Sequence, residues 1–404
     1  MNLAAPLIKG CDVQKDDSLE FVRGAAAIVV LFWHSLLGFA PAASGTFAEG
    51  PANSLQTSIA FILFNGQSAV YLFFVLSSFV ITRRYYRSRD PRDLLLGALK
   101  RLPRLAGPVV VTVVGSCLIY KLDLYFFKEA GALTGSPWLA NFAHSPKVLS
   151  PESASLLDAV QQGSWRAFVL GDNYYDTSLW TMWYEFWGSL GIFALAPIIF
   201  SARDRTPILS WCIIALAICL AARTNYTFIA FLAGISIYLL LEQSWRPSGW
   251  VRFALIATSL FLLGYAGNAV GIYRPLDVVE FVTASPLMRQ TLVATFASVM
   301  LVYTLLTIDS PPSWMTGKLA RFLGDLSFPL YLVHVPIICS LGSGIFLASG
   351  SAMLGAIVAM LASIATALPL VAFNKRWVEL LDMVVAKLRS GGRLVAVEQA
   401  DTGR

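Results

Sequence analysis

The stretch "EFVRGAAAIVVLFWHS", residues 20–35, decides the class of fold. It reads as one apolar helix, yet it opens on Glu20 and Arg23 and carries His34 in its middle. At 100° and 1.5 Å per residue, the step from Arg23 to His34 brings both to one helix face, about 16 Å apart along the axis. With hydrocarbon as the solvent, Arg23 stands at the boundary, where a long side chain reaches water, and needs no function. His34 falls near mid-membrane. A titratable group at that depth is costly and points to function.

The whole chain supports a hydrocarbon setting. Hydrophobic residues make up 57% and charged residues 13%, with mean hydropathy +0.66. A soluble domain carries about 25% charged residues. Apolar runs near 21–40, 66–82, 105–122, 178–200, 207–222, 226–242, 250–266, 289–308, 325–346 and 352–373 predict an all-α, polytopic membrane protein of about ten spans. Residues 1–20 read as a short N-terminal segment, 21–373 as the membrane domain with an outer loop at 123–177, and 374–404 as a tail. "FAPAASG" offers an Ala-x-Ala site, but Asp12, Asp16, Asp17 and Glu20 precede the first run, so a retained span is expected rather than a cleaved signal. Residues 55–64 fit a short interfacial helix, and "SPESASLLDAV" a short surface helix.

Lys and Arg set the expected sidedness. With both termini in the cytoplasm, inner segments collect most of the 30 basic residues, eight of them within residues 83–104. The formal charge of +6 follows from topology, and nucleic acid is not required as a partner. The loop "RRYYRSRDPRDLLLGALKRLPR" serves as an anchor to anionic lipid and as a surface for phosphate, two compatible roles. Five cysteines, four within apolar runs and none in CxxC spacing, indicate neither a disulfide framework nor a metal site.

Buried polar residues narrow the chemistry. His144 falls in the outer loop, but His334 in "LSFPLYLVHVP" lies about 14 Å into its span, near the level of His34. Pro329 and Pro336 flank His334, each removing a backbone donor, and a kink beside a buried imidazole favours a cavity. Glu185 in "SLWTMWYEFWGSLGIF" lies about 10 Å in from the other side, so it should be protonated or paired. Two imidazoles and a carboxyl group at similar depth are what general acid–base chemistry needs. A proton relay in a transporter needs the same groups. Neither an internal repeat nor a pair of broken helices in corresponding halves is visible, which weakens the transporter reading only modestly. A non-catalytic scaffold leaves the alignment of Arg23 with His34 without a reason.

"LEFVRGAAAIVVLFWHS" resembles the opening motif of the membrane-bound acyltransferase family 3, in which an Arg is followed after ten residues by a His. "SAVYLFFVLSSFVITRRYY", "KRLPRLAGPVV", "SLWTMWYEFW" and "LSFPLYLVHVP" are similar to later motifs of that family, in its order, over residues 19 to about 336. Ala69, Tyr71 and Ser78 depart from the Gly, Asp and Gly common at those positions, and the Glu185 segment is only loosely similar. The resemblance implies transfer of an acyl group, usually acetyl from acetyl-CoA, to a hydroxyl of a surface glycan, exopolysaccharide or lipid-linked sugar. It implies Arg23, His34, Glu185 and His334 as matched site residues, in a stand-alone form without an esterase-like domain. Combined with the charge pattern, it assigns His34, Glu185 and His334 to catalysis and Arg23, Arg83, Arg84, Arg101 and Arg104 to acyl-CoA phosphates, with no metal. The expected location is a bacterial cytoplasmic membrane. A proton-coupled carrier of a glycan or lipid-linked sugar is the alternative.

Overall fold

The computed structural model describes residues 17–47, 55–283 and 285–401, with side chains through residue 387. Residues 1–16, including Cys11 and most of the expected N-terminal segment, lie outside the described residues. No strand occurs among the described residues, and ten principal helices form the body. They are α1 (Asp17–Phe39), α2 (Gly66–Ser88), α3 (Pro91–Lys121), α4 (Trp180–Arg205), α5 (Pro207–Thr224), α6 (Ile229–Glu242), α7 (Gly249–Leu263), α8 (Pro286–Leu306), α9 (Gly317–Ile337) and α10 (Ala352–Asp401). Eight are long and apolar enough to cross a membrane, and α6 and α7 are shorter apolar helices. The protein is an all-α, polytopic membrane protein.

Helix boundaries follow local chemistry. The basic stretch after the second apolar run is mostly helical: α2 ends at Ser88, Arg89 takes a left-handed φ of 55°, and α3 begins at Pro91. Asp90 caps α3 by accepting from the Arg92 N–H at 2.9 Å, and Pro91 has no donor to lose at the first position. Asn65 caps α2 through the Ser68 N–H and donates its own amide to the carbonyls of Leu263 and Tyr265, tying α2 to the end of α7. α9 begins at Gly317, earlier than the hydropathy suggests, because Asp17 accepts the Gly317 N–H at 2.7 Å. Residues 55–57 and 59–63 form tight 3-10 turns, and a helix covers Leu156–Gln161 within the segment between α3 and α4.

The central unit is the pair α1 and α9, which run parallel in one register. Asp17 meets Gly317, Gly24 meets Leu323, His34 meets His334 and Gly38 meets Ile338, so the sequence offset stays near 300 along the whole length. Two glycines permit the approach. A Cβ on Gly24 would stand 2.6 Å from the backbone of Leu323, and one on Gly324 would stand 2.7 Å from Glu20 Cβ. Without water to drive apolar helices together, such close backbone packing is a main source of association in lipid. α2, α3 and α10 pack against this pair, and α4 packs against α2 and α3. α3 carries Pro103 and Pro108, and the indole of Trp377 on α10 donates to the Pro103 carbonyl at 2.8 Å across the space left by Gly107.

Replacing Gly24 by Val inserts bulk where helix backbones touch. Overpacking of this kind costs about 1–3 kcal/mol, so the Gly24→Val protein is expected to unfold at a lower temperature in detergent, read by a thermal melt against wild type.

Candidate active site

The register of α1 and α9 brings the two imidazoles into contact. His34 Nδ1 lies 2.8 Å from His334 Nε2, with ring centroids 4.9 Å apart. The other nitrogen of His334, Nδ1, is 2.7 Å from the backbone carbonyl of Tyr331. A carbonyl only accepts, so Nδ1 of His334 carries its proton and Nε2 of the neutral ring is an acceptor. The bond between the rings is therefore donated by His34 Nδ1. That leaves His34 Nε2 as the one ring nitrogen with an uncommitted lone pair. His334 is 1% exposed, whereas His34 is half-buried and keeps accessible surface.

The surroundings hold this geometry. Trp138 stacks on His34 with centroids 5.2 Å apart and planes 16° from parallel. Its short helix, Pro137–Ala140, is capped by Ser136, whose hydroxyl accepts from the Leu139 N–H and donates to the Leu37 carbonyl of α1 at 2.6 Å. Tyr331 is fixed by its hydroxyl, which donates to the Ser178 carbonyl at 3.0 Å and lies 2.9 Å from Thr181 Oγ1. Ser178 belongs to a turn capped by Asp176, whose Oδ1 accepts from the Ser178 N–H at 3.0 Å. Asp176 is fully buried and its Oδ2 has no hydrogen-bond partner among the described residues. Burial pushes its carboxyl group up to about 7.

Glu185 is held by a different set of partners. It forms an ion pair with Arg101 and accepts from the Ser77 hydroxyl. Arg101 also donates to Ser189 Oγ at 2.8 Å and Ser77 Oγ at 3.0 Å, so α2, α3 and α4 meet in one polar knot. No hydrogen bond joins Glu185 to either histidine among the described residues. Arg104, one turn along α3 from Arg101, is exposed and lies within electrostatic range of Arg101, Arg23, Glu185 and Asp382. Arg23 is anchored to α9 through Ser327 Oγ at 3.0 Å and the Gly324 carbonyl at 2.7 Å, and it pairs with Glu20 at 2.8 Å.

The arginines named from the sequence thus divide. Arg23, Arg101 and Arg104 share one region. Arg84 pairs with Asp93 at 2.8 Å on the surface, and Arg83 faces a separate cavity with Tyr86, Tyr238 and Trp245. Six residues separate Ser77 from Arg83 on α2, a rotation of about 240° beyond a full turn, and this places them on different faces. That signal was available in the spacing. Ser77, Ser189, Trp138, Tyr331 and Asp176 were not singled out: Ser189 sits one turn after Glu185, but nothing local marks Trp138, which arrives from a distant segment. Tyr71, at a departing position, is buried and accepts from Thr291 Oγ1 at 2.6 Å. Ser78, at another, packs against Gly234, where a Cβ would stand 2.8 Å from Ser78 Cβ.

Fold and site together define a helical membrane protein with a paired-histidine centre placed deep between two parallel helices and an arginine-rich region toward one end of them. The family model of the acyltransferase domain of acyltransferase family 3 matches residues 16–372. The chain belongs to that family. Comparison with curated proteins and with solved structures gives no match.

The Asp176 carboxyl group gives a pH test of the site's outer support. The folded protein holds this proton up to about 7, whereas the unfolded chain releases it near 3.8. Between these values the folded state binds more protons, so stability falls as pH rises and the loss is complete above pH 7. Asp176→Asn keeps the cap acceptor and removes the titration. Its melting temperature is expected to rise relative to wild type between pH 5 and pH 8, against a penalty on the order of 4 kcal/mol in wild type.

Proposed function

We propose that the chain is a membrane-bound O-acyltransferase that moves an acyl group, most simply acetyl, from acyl-CoA to a hydroxyl of a glycan, exopolysaccharide or lipid-linked sugar. The observation that carries this reading is the one open lone pair, on Nε2 of His34, in a member of an acyltransferase family. In the proposed reaction that nitrogen takes the proton of the acceptor hydroxyl as its oxygen attacks the thioester carbonyl. Positive charge on His34 is stabilised through its Nδ1–H, which His334 accepts. The C–S bond then breaks, and the proton on His34 Nε2 passes to the leaving sulfur, giving an ester and coenzyme A thiol.

The donor's phosphates belong, in this reading, with Arg104 and Arg23, which keep accessible surface where Arg101 is buried. The axial rise of about 16 Å from Arg23 to His34 suits an extended ligand charged at one end and reactive at the other. Arg101 and Glu185 are already satisfied by each other and by two serines, which suits a structural role in orienting Arg104. The proposed setting is a bacterial cytoplasmic membrane with the arginine end facing the cytoplasm.

Purified protein given labelled acetyl-CoA and a panel of glycan acceptors tests the assignment. Acceptor-dependent release of coenzyme A is expected from wild type. His34→Ala should lower the rate by about 10²–10⁴-fold, the usual contribution of a positioned base, with coenzyme A binding retained. Arg104→Gln should raise KM for acetyl-CoA by about tenfold, the loss of one charge-assisted contact, with kcat little changed. Wild-type turnover by the His34 variant would exclude this chemistry.

A further inference from the structure

A second basic site lies away from the histidine pair. The cavity that Arg83 faces measures about 90 Å³ and lies among α2, the end of α6 and the connection to α7. Arg83, Arg87 and Arg246 line it with Tyr86, Tyr238 and Trp245. Arg83 is half-buried and has no hydrogen bond or ion pair with the described residues. Nearby acids do not neutralise it. Glu242 is engaged by Arg203 Nε at 2.6 Å and by the Tyr86 hydroxyl, and Asp309 pairs with Arg246 in an exposed contact. Arg252 adds a further cation at the rim, held by the Thr307 carbonyl at 3.4 Å, with its Nε unpartnered.

Trp245 is also a wall of an adjoining groove of about 270 Å³, formed by Leu240 on α6, Leu255 on α7 and Phe296, Val299 and Met300 on α8. Tyr303 fixes the partition. Its hydroxyl donates to the Trp245 carbonyl at 2.6 Å, and its ring lies 6° from parallel with the indole. From Tyr303 to Phe296 the groove runs about 10 Å along α8, a helix long and apolar enough to cross a membrane, and Phe296 is 62% exposed.

A soluble phosphate would leave the groove unfilled, and an uncharged lipid would leave Arg83 without a counter-charge. We infer that cavity and groove together bind one anionic phospholipid, its phosphate held by Arg83, Arg87 and Arg246 and one acyl chain lying along α8. Guanidinium forks match phosphate oxygens, and Trp and Tyr rings settle at head-group level, so each part of the site has a counterpart in one amphiphile. The inference does not depend on the acyl-transfer chemistry.

Native mass spectrometry of the full chain in neutral detergent tests it, with phosphatidylglycerol and phosphatidylcholine of identical chains as probes. Phosphatidylglycerol should be retained at least about tenfold better, from two or more arginine contacts near the membrane surface. Arg83→Gln with Arg246→Gln should weaken its binding by about tenfold or more. Val299→Trp, which fills the groove without changing charge, should weaken it too. Inorganic phosphate and coenzyme A should not displace it. Equal retention of phosphatidylcholine, displacement by either soluble phosphate, or unchanged binding in the charge and groove variants would each overturn the inference. A thermal melt without lipid checks folding, and if the double variant unfolds, Arg83→Gln alone and Val299→Trp decide the same question. None of these substitutions touches the histidine pair or Arg104, so a negative result leaves the proposed acyl transfer standing.

Discussion

The close parallel packing of α1 against α9 is the constraint on which the site depends. Gly24 and Gly324 let the two backbones approach, and the polar groups then pair across the seam: Asp17 with the start of α9, Arg23 with Ser327 and the Gly324 carbonyl, His34 with His334. These contacts are mutually supporting, because a helix is stiff and its register at one end sets its register at the other. Arg23 thereby acts as more than an interfacial anchor. Its hydrogen bonds to α9 fix the phase in which the imidazoles meet, about three turns deeper.

Around this seam the protein handles buried charge by saturation. Arg101 and Glu185 would each be costly alone in a membrane interior, but together with Ser77 and Ser189 they form a knot in which donors and acceptors are matched. The histidine pair follows a different rule. Its hydrogen bonds run in one direction, from the Tyr331 carbonyl to His334 to His34, and stop at His34 Nε2, which has no hydrogen-bond partner among the described residues. The satisfied cluster gives rigidity, and in the proposed reaction the open nitrogen supplies the base.

Much of this was legible in the sequence. Composition and apolar runs carried the all-α membrane fold, because hydrocarbon imposes the same length and polarity on every span. Helical geometry placed Arg23 and His34 on one face, and depth alone put His334 at the same level. What the chain could not reveal was which helices meet. Similar depth placed Glu185 at the level of the imidazoles, but depth is one coordinate of three, and it could not show that Glu185 pairs with Arg101. The basic stretch 83–104 looked like one surface, and a turn at Arg89 folds it into two antiparallel helices whose arginines face different spaces. Trp138 and Asp176 act through tertiary contacts made by an irregular segment, for which no periodicity exists to read.

The constant offset between α1 and α9 has a consequence for how such a chain can vary. Two helices meeting in register across roughly 300 intervening residues are indifferent to the length of what connects them. A residue added to a connecting loop leaves the imidazoles where they are. A residue added within α1 between Arg23 and His34 swings His34 by about 100° around the helix, away from its partner. Tolerance to length change is therefore divided sharply along the chain, wide in the connections and absent within the two turns-counted segments that link an anchor to a histidine.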